Sequence, residues 1–211
     1  ATEWLYRADP PCPSTRGQDQ IWKTRLMGDI ASTLASRYPT EFELENDRKI
    51  NIRLMVPADV EAVLTFAKCL DLNDLLYLRV NITERSAVER WAHYIEAGRT
   101  YTVLALDEER VVGEASLLHS TASWTRHIGE IRMQVIPQAR RNGLARVLAQ
   151  EIEWIAKQMS LTMLTARMTL EQEAAQRVFR QLGFQREAVL WDYVMTADGQ
   201  TRNLLVATKR L

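Results

Sequence analysis

Apolar positions along this chain recur with two periods, close to four residues in some stretches and two in others, and the switches between them mark out elements. Residues 1–19 carry Pro10, Pro11, Pro13 and Gly17 and read as an irregular arm. From Gln20 to Arg37, Ile21, Leu26, Ile30 and Leu34 recur near helical spacing, and Pro39 stops the run. Residues 1–40 are therefore expected to form an arm and a helix, an extension rather than a domain, packed on the main domain (41–211) or on a partner chain. Phe42 and Leu44 alternate with acids, Asn46-Asp47-Arg48 turns the chain, and Ile50, Ile52 and Leu54 alternate again, which predicts a β-hairpin. Pro57 and Asp59 open a helix with Val60, Val63, Leu64 and Ala67 on one face. A second helix is expected from Thr83, as N-cap, to Gly98, with Val88, Trp91, Ala92 and Ile95 inward.

Three strand-like runs follow: Tyr101 to Leu106, Val111 to Leu118 and His127 to Ile136. The turn at Asp107-Glu108-Glu109-Arg110 and a polar loop imply an antiparallel meander. From Gly143 a helical stripe of Leu144, Val147, Leu148, Ile152, Ile155 and Met159 begins, and Leu161 to Met168 reads as a strand. Strand, helix and strand in that order predict a parallel pair with a right-handed crossover. A shorter helix at 172–182 turns Ala175, Val178, Phe179 and Leu182 inward, and two strands near 188–195 and 203–208 join at Asp198-Gly199. No internal repeat interrupts this order.

Composition changes the picture little. The chain has 211 residues, 46% apolar and 26% charged, as in ordinary globular proteins. The 27 basic residues equal the 27 acidic ones, so no global field draws nucleic acid or an anionic membrane. No apolar run nears the roughly 20 residues of a spanning helix, and the first residues lack a secretory pattern. Cys12 and Cys69 suggest idle thiols in a reducing cytoplasm, and no closely spaced His/Cys set suggests a metal.

The stretch Val135-Ile136-Pro137-Gln138-Ala139-Arg140-Arg141-Asn142-Gly143-Leu144-Ala145 carries the chemistry. It joins a strand to an amphipathic helix, whose first amides and positive dipole end suit an anion. Gly143 and Ala145 remove bulk, and Arg140, Arg141 and Arg146 add charge, which makes a phosphate or pyrophosphate cradle. The glycine spacing of a dinucleotide fold and the Gly-Lys-Ser/Thr of a nucleotide loop are both missing. A basic surface loop that merely caps a helix is the plainer alternative.

Arg140-x-x-Gly143-x-Ala145, the preceding Val-Ile-Pro and the later Phe179-Arg-Gln-Leu-Gly183-Phe184 resemble, in order and spacing, the signature of the GNAT N-acetyltransferases. Leu76-Tyr77-Leu78-Arg79, Trp124-x-x-His127-x-Gly129-Glu130 and Asp192-Tyr193-Val194 before Asp198-Gly199 resemble a bacterial subgroup of that family. The resemblance covers roughly residues 50–211. It implies an α/β fold with a mixed sheet of about seven strands, an antiparallel meander followed by a parallel pair around the cofactor loop, and about four flanking helices. It implies acetyl-CoA as cosubstrate. Met133, Gln134 and Val135 would meet the pantetheine arm, and the loop from Arg141 through Asn142, Gly143, Leu144 and Ala145 to Arg146 would hold the diphosphate. Gln172 and Phe179 would lie beside the cofactor. A homodimer is the expected assembly.

An amine must be neutral to attack a thioester. For a lysine-like amine at pH 7 that costs roughly 4.6 kcal/mol, for an α-amino group about 1 kcal/mol. A general base is therefore expected, and Glu130 is the candidate. Alternation puts it on one face with Arg132 and Gln134, and the resemblance implies a glutamate in that role. The alternative is an ion pair of Glu130 with Arg132 or His127. His127 is the second candidate base. Family members commonly carry a tyrosine where this chain has Phe179 and an asparagine where it has Gln172, so the acid that protonates the leaving thiolate is missing. Tyr193 is a substitute in reserve. Trp91, Trp124 and Trp191 are candidates to line an acceptor pocket for a small-molecule or protein amine. A module that binds acetyl-CoA without turnover is the competing reading.

Overall fold

The computed structural model describes residues 30–71, 74, 75, 78, 80–120, 124–196 and 199–211. The arm, residues 20–29 of the expected helix, Leu76, Tyr77, Arg79 and Asp198 lie outside the described residues. Residues 30–37 form α1, and β1 (Thr40–Glu43) and β2 (Lys49–Leu54) form the expected hairpin. A 3-10 turn at Pro57–Asp59 leads into α2 (Val60–Ala67), and α3 spans Arg85–Glu96. β3 (Thr100–Asp107), β4 (Arg110–His119) and β5 (Ile128–Val135) make the meander. α4 (Leu144–Gln158), β6 (Met163–Thr169), α5 (Glu173–Gln181), β7 (Gln185–Met195) and β8 (Thr201–Arg210) complete the order.

All eight strands join one sheet in the order β1-β2-β3-β4-β5-β6-β8-β7. This agrees with the expectation of about seven strands; β1, only four residues long, pairs with β2 from Thr40↔Ile52 to Glu43↔Lys49 and forms one edge of the eight. Every pairing is antiparallel except β5 with β6. The sheet's centre is covered on both sides, so β3 and β4 are buried nearly throughout instead of alternating. Gly113 on β4 faces Leu144 and Leu148 of α4, which assigns the odd-numbered positions 113, 115 and 117 to the α4 side. Trp91 of α3 donates its Nε1–H to Thr102 on β3, across from Ser116, so the even-numbered positions of β4 face α3.

Capping follows the chemistry, with one correction. Gly98 ends α3 with φ +64°, its own N–H bonded to Ile95 and the Arg99 N–H to Tyr94, a glycine-terminated C-cap. Thr83 does not cap α3: the N-cap position is Glu84, and the Thr83 hydroxyl donates to Asn81 Oδ1 at 2.6 Å, closing the preceding turn instead.

The start of the described chain is anchored on α4. Ile30 and Leu34 are buried, and Arg37 Nε and Nη2 reach the two oxygens of Glu151 at 2.8 and 2.5 Å. The Tyr38 hydroxyl donates to Glu151 at 2.8 Å, and the Arg37 guanidinium lies 4.3 Å from the Trp154 ring centre. At the opposite edge β7 is exposed along almost its whole length, Trp191, Tyr193 and Met195 included. Between Leu190↔Leu204 and Val194↔Arg202, three residues of β7 stand against Asn203 alone, and the Asn203 side chain accepts the Asp192 N–H at 2.9 Å.

Candidate active site

The parallel pair is short. β5 and β6 match only at Ile128↔Met163, Gly129↔Leu164 and Glu130↔Thr165, after which β5 stays with β4 as far as Val135 and β6 stays with β8 as far as Thr169. The sheet therefore opens between two strands that each remain tied on their outer side. The Ile136 N–H bonds to Val112, so even-numbered peptides of β5 face β4 and those of Ile131, Met133 and Val135 face the opening. Of the three residues expected along a pantetheine arm, Met133 and Val135 turn backbone toward the gap. Gln134 turns its peptide toward β4.

At the mouth of the gap the chain passes from β5 through a 3-10 turn at Pro137–Ala139 to α4. Arg141 and Gly143 both take positive φ, +63° and +87°. Asn142 is buried: its side chain accepts the Leu144 N–H at 3.2 Å and its carbonyl accepts the Glu45 N–H at 3.2 Å, which pins the loop to the β1–β2 turn. Among the described residues, the amides of Arg141, Asn142, Gly143 and Ala145 have no hydrogen-bond partner. With the exposed Arg141 and Arg146 beside them, they fit a diphosphate at the positive end of a 15-residue helix.

Two loop residues behave differently from expectation. The Arg140 side chain is engaged within the protein: Nε donates to the Val135 carbonyl at 2.9 Å, and its other nitrogens meet Asp71 and Asp74. It braces the loop against the segment after α2. A Cβ on Gly143 would lie 3.2 Å from the Glu45 carboxylate, so glycine is required there by φ and by the neighbouring turn.

Glu130 stands where the strands part, on the sheet face opposite α4. Arg132 Nε and Nη2 both lie 2.8 Å from its Oε1, and Arg167 of β6 is 3.7 Å from Oε2. Its side chain is largely buried, at 16% exposure. His127 is exposed, before β5, with its carbonyl accepting the Thr162 N–H. Tyr193 lies on exposed β7, beyond β8 from the gap. Gln172 closes the β6–α5 turn by accepting the Thr169 N–H at 2.9 Å, and Phe179 is buried edge-on against Phe184, 5.0 Å between centroids. Trp124 and Trp191 are exposed; Trp91 is half-buried.

Glu114 stands outside the residues that the sequence pattern singles out. It is 5% exposed on β4, in register with Gln134, and Ser116 donates to its Oε2 at 3.0 Å. Burial pushes its carboxyl up to about 8, against the opposing pull of the Ser116 hydroxyl and the Arg132 charge. The signal was an acid inside the largely apolar run Val111 to Leu118. Among the described residues no cluster of three or more His, Cys, Asp or Glu is arranged to hold a metal, and no helix is long and apolar enough to cross a membrane.

The model of the acetyltransferase (GNAT) family matches residues 66–184. Among curated proteins no sequence matches. Solved structures share the fold. The ribosomal-protein-S5-alanine acetyltransferase from Vibrio fischeri is 16% identical with a TM-score of 0.67, covering 81% of this chain and 96% of that one. The yncA structure from Salmonella typhimurium, with its cofactor acetyl-CoA, is 18% identical with a TM-score of 0.66 over 77% of this chain and 94% of its own. Mycobacterium smegmatis RimJ, in complex with CoA-disulfide, is 16% identical with a TM-score of 0.66 over 82% and 88%.

Proposed function

The chain belongs to the GNAT acetyltransferase family, and from that premise we propose that it moves an acetyl group from acetyl-CoA to a primary amine, on a small molecule or a protein, with Glu130 as general base. The observation that carries this reading is the parting of β5 from β6 after three residue pairs, beside a loop of unpaired amides. Acetyl-CoA supplies the acyl group already activated as a thioester. The amides at 141–145 hold its diphosphate, and the inward peptides of Met133 and Val135 orient its arm as an added strand would be oriented. Glu130 then receives the proton of the incoming amine at the point where the gap opens.

Arg132, 2.8 Å from Oε1, and Arg167, 3.7 Å from Oε2, help to hold the Glu130 carboxylate in place. Phe179 offers no hydroxyl, so the thiolate leaves without a proton from that position and is protonated by water. The same feature favours a second reading, a module that binds acetyl-CoA with little turnover.

Thiol release from acetyl-CoA with a panel of amines separates the two. Transfer is expected with at least one amine, and Glu130→Gln is expected to lower kcat by about 10²–10⁴ while leaving acetyl-CoA affinity within a few-fold. Unchanged turnover in that variant would remove Glu130 from the mechanism. Tight acetyl-CoA binding with no thiol release for any amine would favour the module.

A further inference from the structure

On the sheet face that α3 covers, three cross-strand rows succeed one another: Glu114 beside Gln134, Ser116 beside Arg132, and Leu118 beside Glu130. The row bearing Arg132 thus lies between the rows bearing two carboxyls. Arg132 is bonded to Glu130 at 2.8 Å, and its charge acts on Glu114. We infer that Glu114 is a positioning residue for Glu130, acting through Arg132, which the two carboxyls share.

A polarised hydrogen-bond chain holds Glu114. The Trp91 indole can only donate, so Thr102 accepts from it at 3.1 Å. The Ser116 proton goes to Glu114 Oε2, so Thr102 donates to Ser116 at 2.9 Å. Every donor in the chain is directed toward Glu114, while Oε1 of the same carboxyl has no hydrogen-bond partner among the described residues. The carboxyl is thus fixed in orientation with one oxygen in reserve.

Other charges near it are few. Arg132 and Glu130 come from β5. Arg53 on β2 lies in the row Arg53–Leu104–Glu114 and is already paired with Asp59 at 2.7 Å. The charged residues of α3, Arg85, Glu89, Arg90, His93 and Glu96, are exposed, as is Glu61 of α2. When Glu114 carries its proton, Arg132 stays on Glu130. When Glu114 is ionised, Arg132 is drawn toward it and the Glu130 carboxylate is loosened for the amine proton. Because burial pushes the Glu114 carboxyl up to about 8, the exchange falls in the pH range where an α-amino group becomes nucleophilic.

This inference rests on the acetyltransferase reading, and its test keeps the two apart. Glu114→Gln copies the protonated form and keeps an acceptor for Ser116. In the pH profile of kcat, the wild type should show an ionisation near 8 that the variant lacks, with turnover at the alkaline end down about tenfold and KM for acetyl-CoA unchanged. A profile superimposable on the wild type would overturn the role of Glu114. A second arm needs no turnover: carboxyl NMR of protein labelled at glutamate, titrated with and without Arg132→Gln. Removing the Arg132 charge should move the Glu114 titration upward, and a Glu114 that titrates in the ordinary carboxylate range or ignores Arg132 would refute the coupling. A wild type that transfers nothing while this titration behaves as stated would sink the acetyltransferase reading alone.

Discussion

Replacing Glu151 with alanine tests how α1 is held to α4. Its carboxylate is nearly sealed from solvent, at 3% side-chain exposure, and it accepts two bonds from Arg37 and one from Tyr38. Charge-assisted bonds of this kind contribute about 1.5–3 kcal/mol each, and breaking a buried pair costs about 3–5 kcal/mol. Arg37 is 31% exposed and can return to water, which favours the lower end, about 3 kcal/mol. For a domain of this size that is a fall of about 6–12 °C in melting temperature. Urea unfolding should show the midpoint shifted with the slope unchanged. Arg37→Met, Tyr38→Phe and Glu151→Leu combined should recover most of the loss, because matched apolar groups replace a buried pair at little cost. Seven residues of helix, about 10 Å, separate Glu151 from Leu144, so acetyl-CoA affinity should not follow stability. A single variant within 0.5 kcal/mol of the wild type, or a triple variant no better than the single, would refute the anchoring.

Two further outcomes follow from the site. Gly143→Ala places a side chain at φ +87° and 3.2 Å from the Glu45 carboxylate, so the loop must shift; the left-handed conformation alone costs about 1–2 kcal/mol, and calorimetry should show acetyl-CoA binding weakened about tenfold. Undiminished binding would place the diphosphate elsewhere. Glu114 sets a pH dependence of stability. Its folded carboxyl, pushed up to about 8, lies above the ordinary glutamate value of about 4.5, so the native state keeps a proton the unfolded chain has lost, and stability declines as pH rises between those values. The slope is about 1.4 kcal/mol per pH unit from this group, and Glu114→Gln should flatten it; parallel melting curves across pH 5 to 8 would contradict the assignment.

The elements were legible because apolar spacing reports local geometry. The α4 stripe, the glycine ending α3 and the strand–helix–strand order that demands a parallel pair all stand in the structure. Glu151 lies three residues from Leu148 and four from Ile155 on that same stripe, but its acidity hid it among surface positions. What the sequence could not disclose depends on distant partners. Arg140 is adjacent to the phosphate loop in sequence, yet Asp71 and Asp74, some seventy positions earlier, claim its side chain. The Thr83 hydroxyl suits an N-cap, but Asn81 competes for it two residues away. Glu114 required knowing that β4 is covered on both faces, which local alternation does not reveal.

The outermost strand has a consequence for how molecules of this protein meet. An exposed edge of 11 residues with Trp191, Tyr193 and Met195 would ordinarily be a template on which foreign chains stack into fibres. The two surplus residues opposite Asn203, together with the extra residue at Glu187, interrupt that template twice. A strand arriving from outside finds no unbroken row of matching groups, so open-ended growth along this rim stalls where it begins.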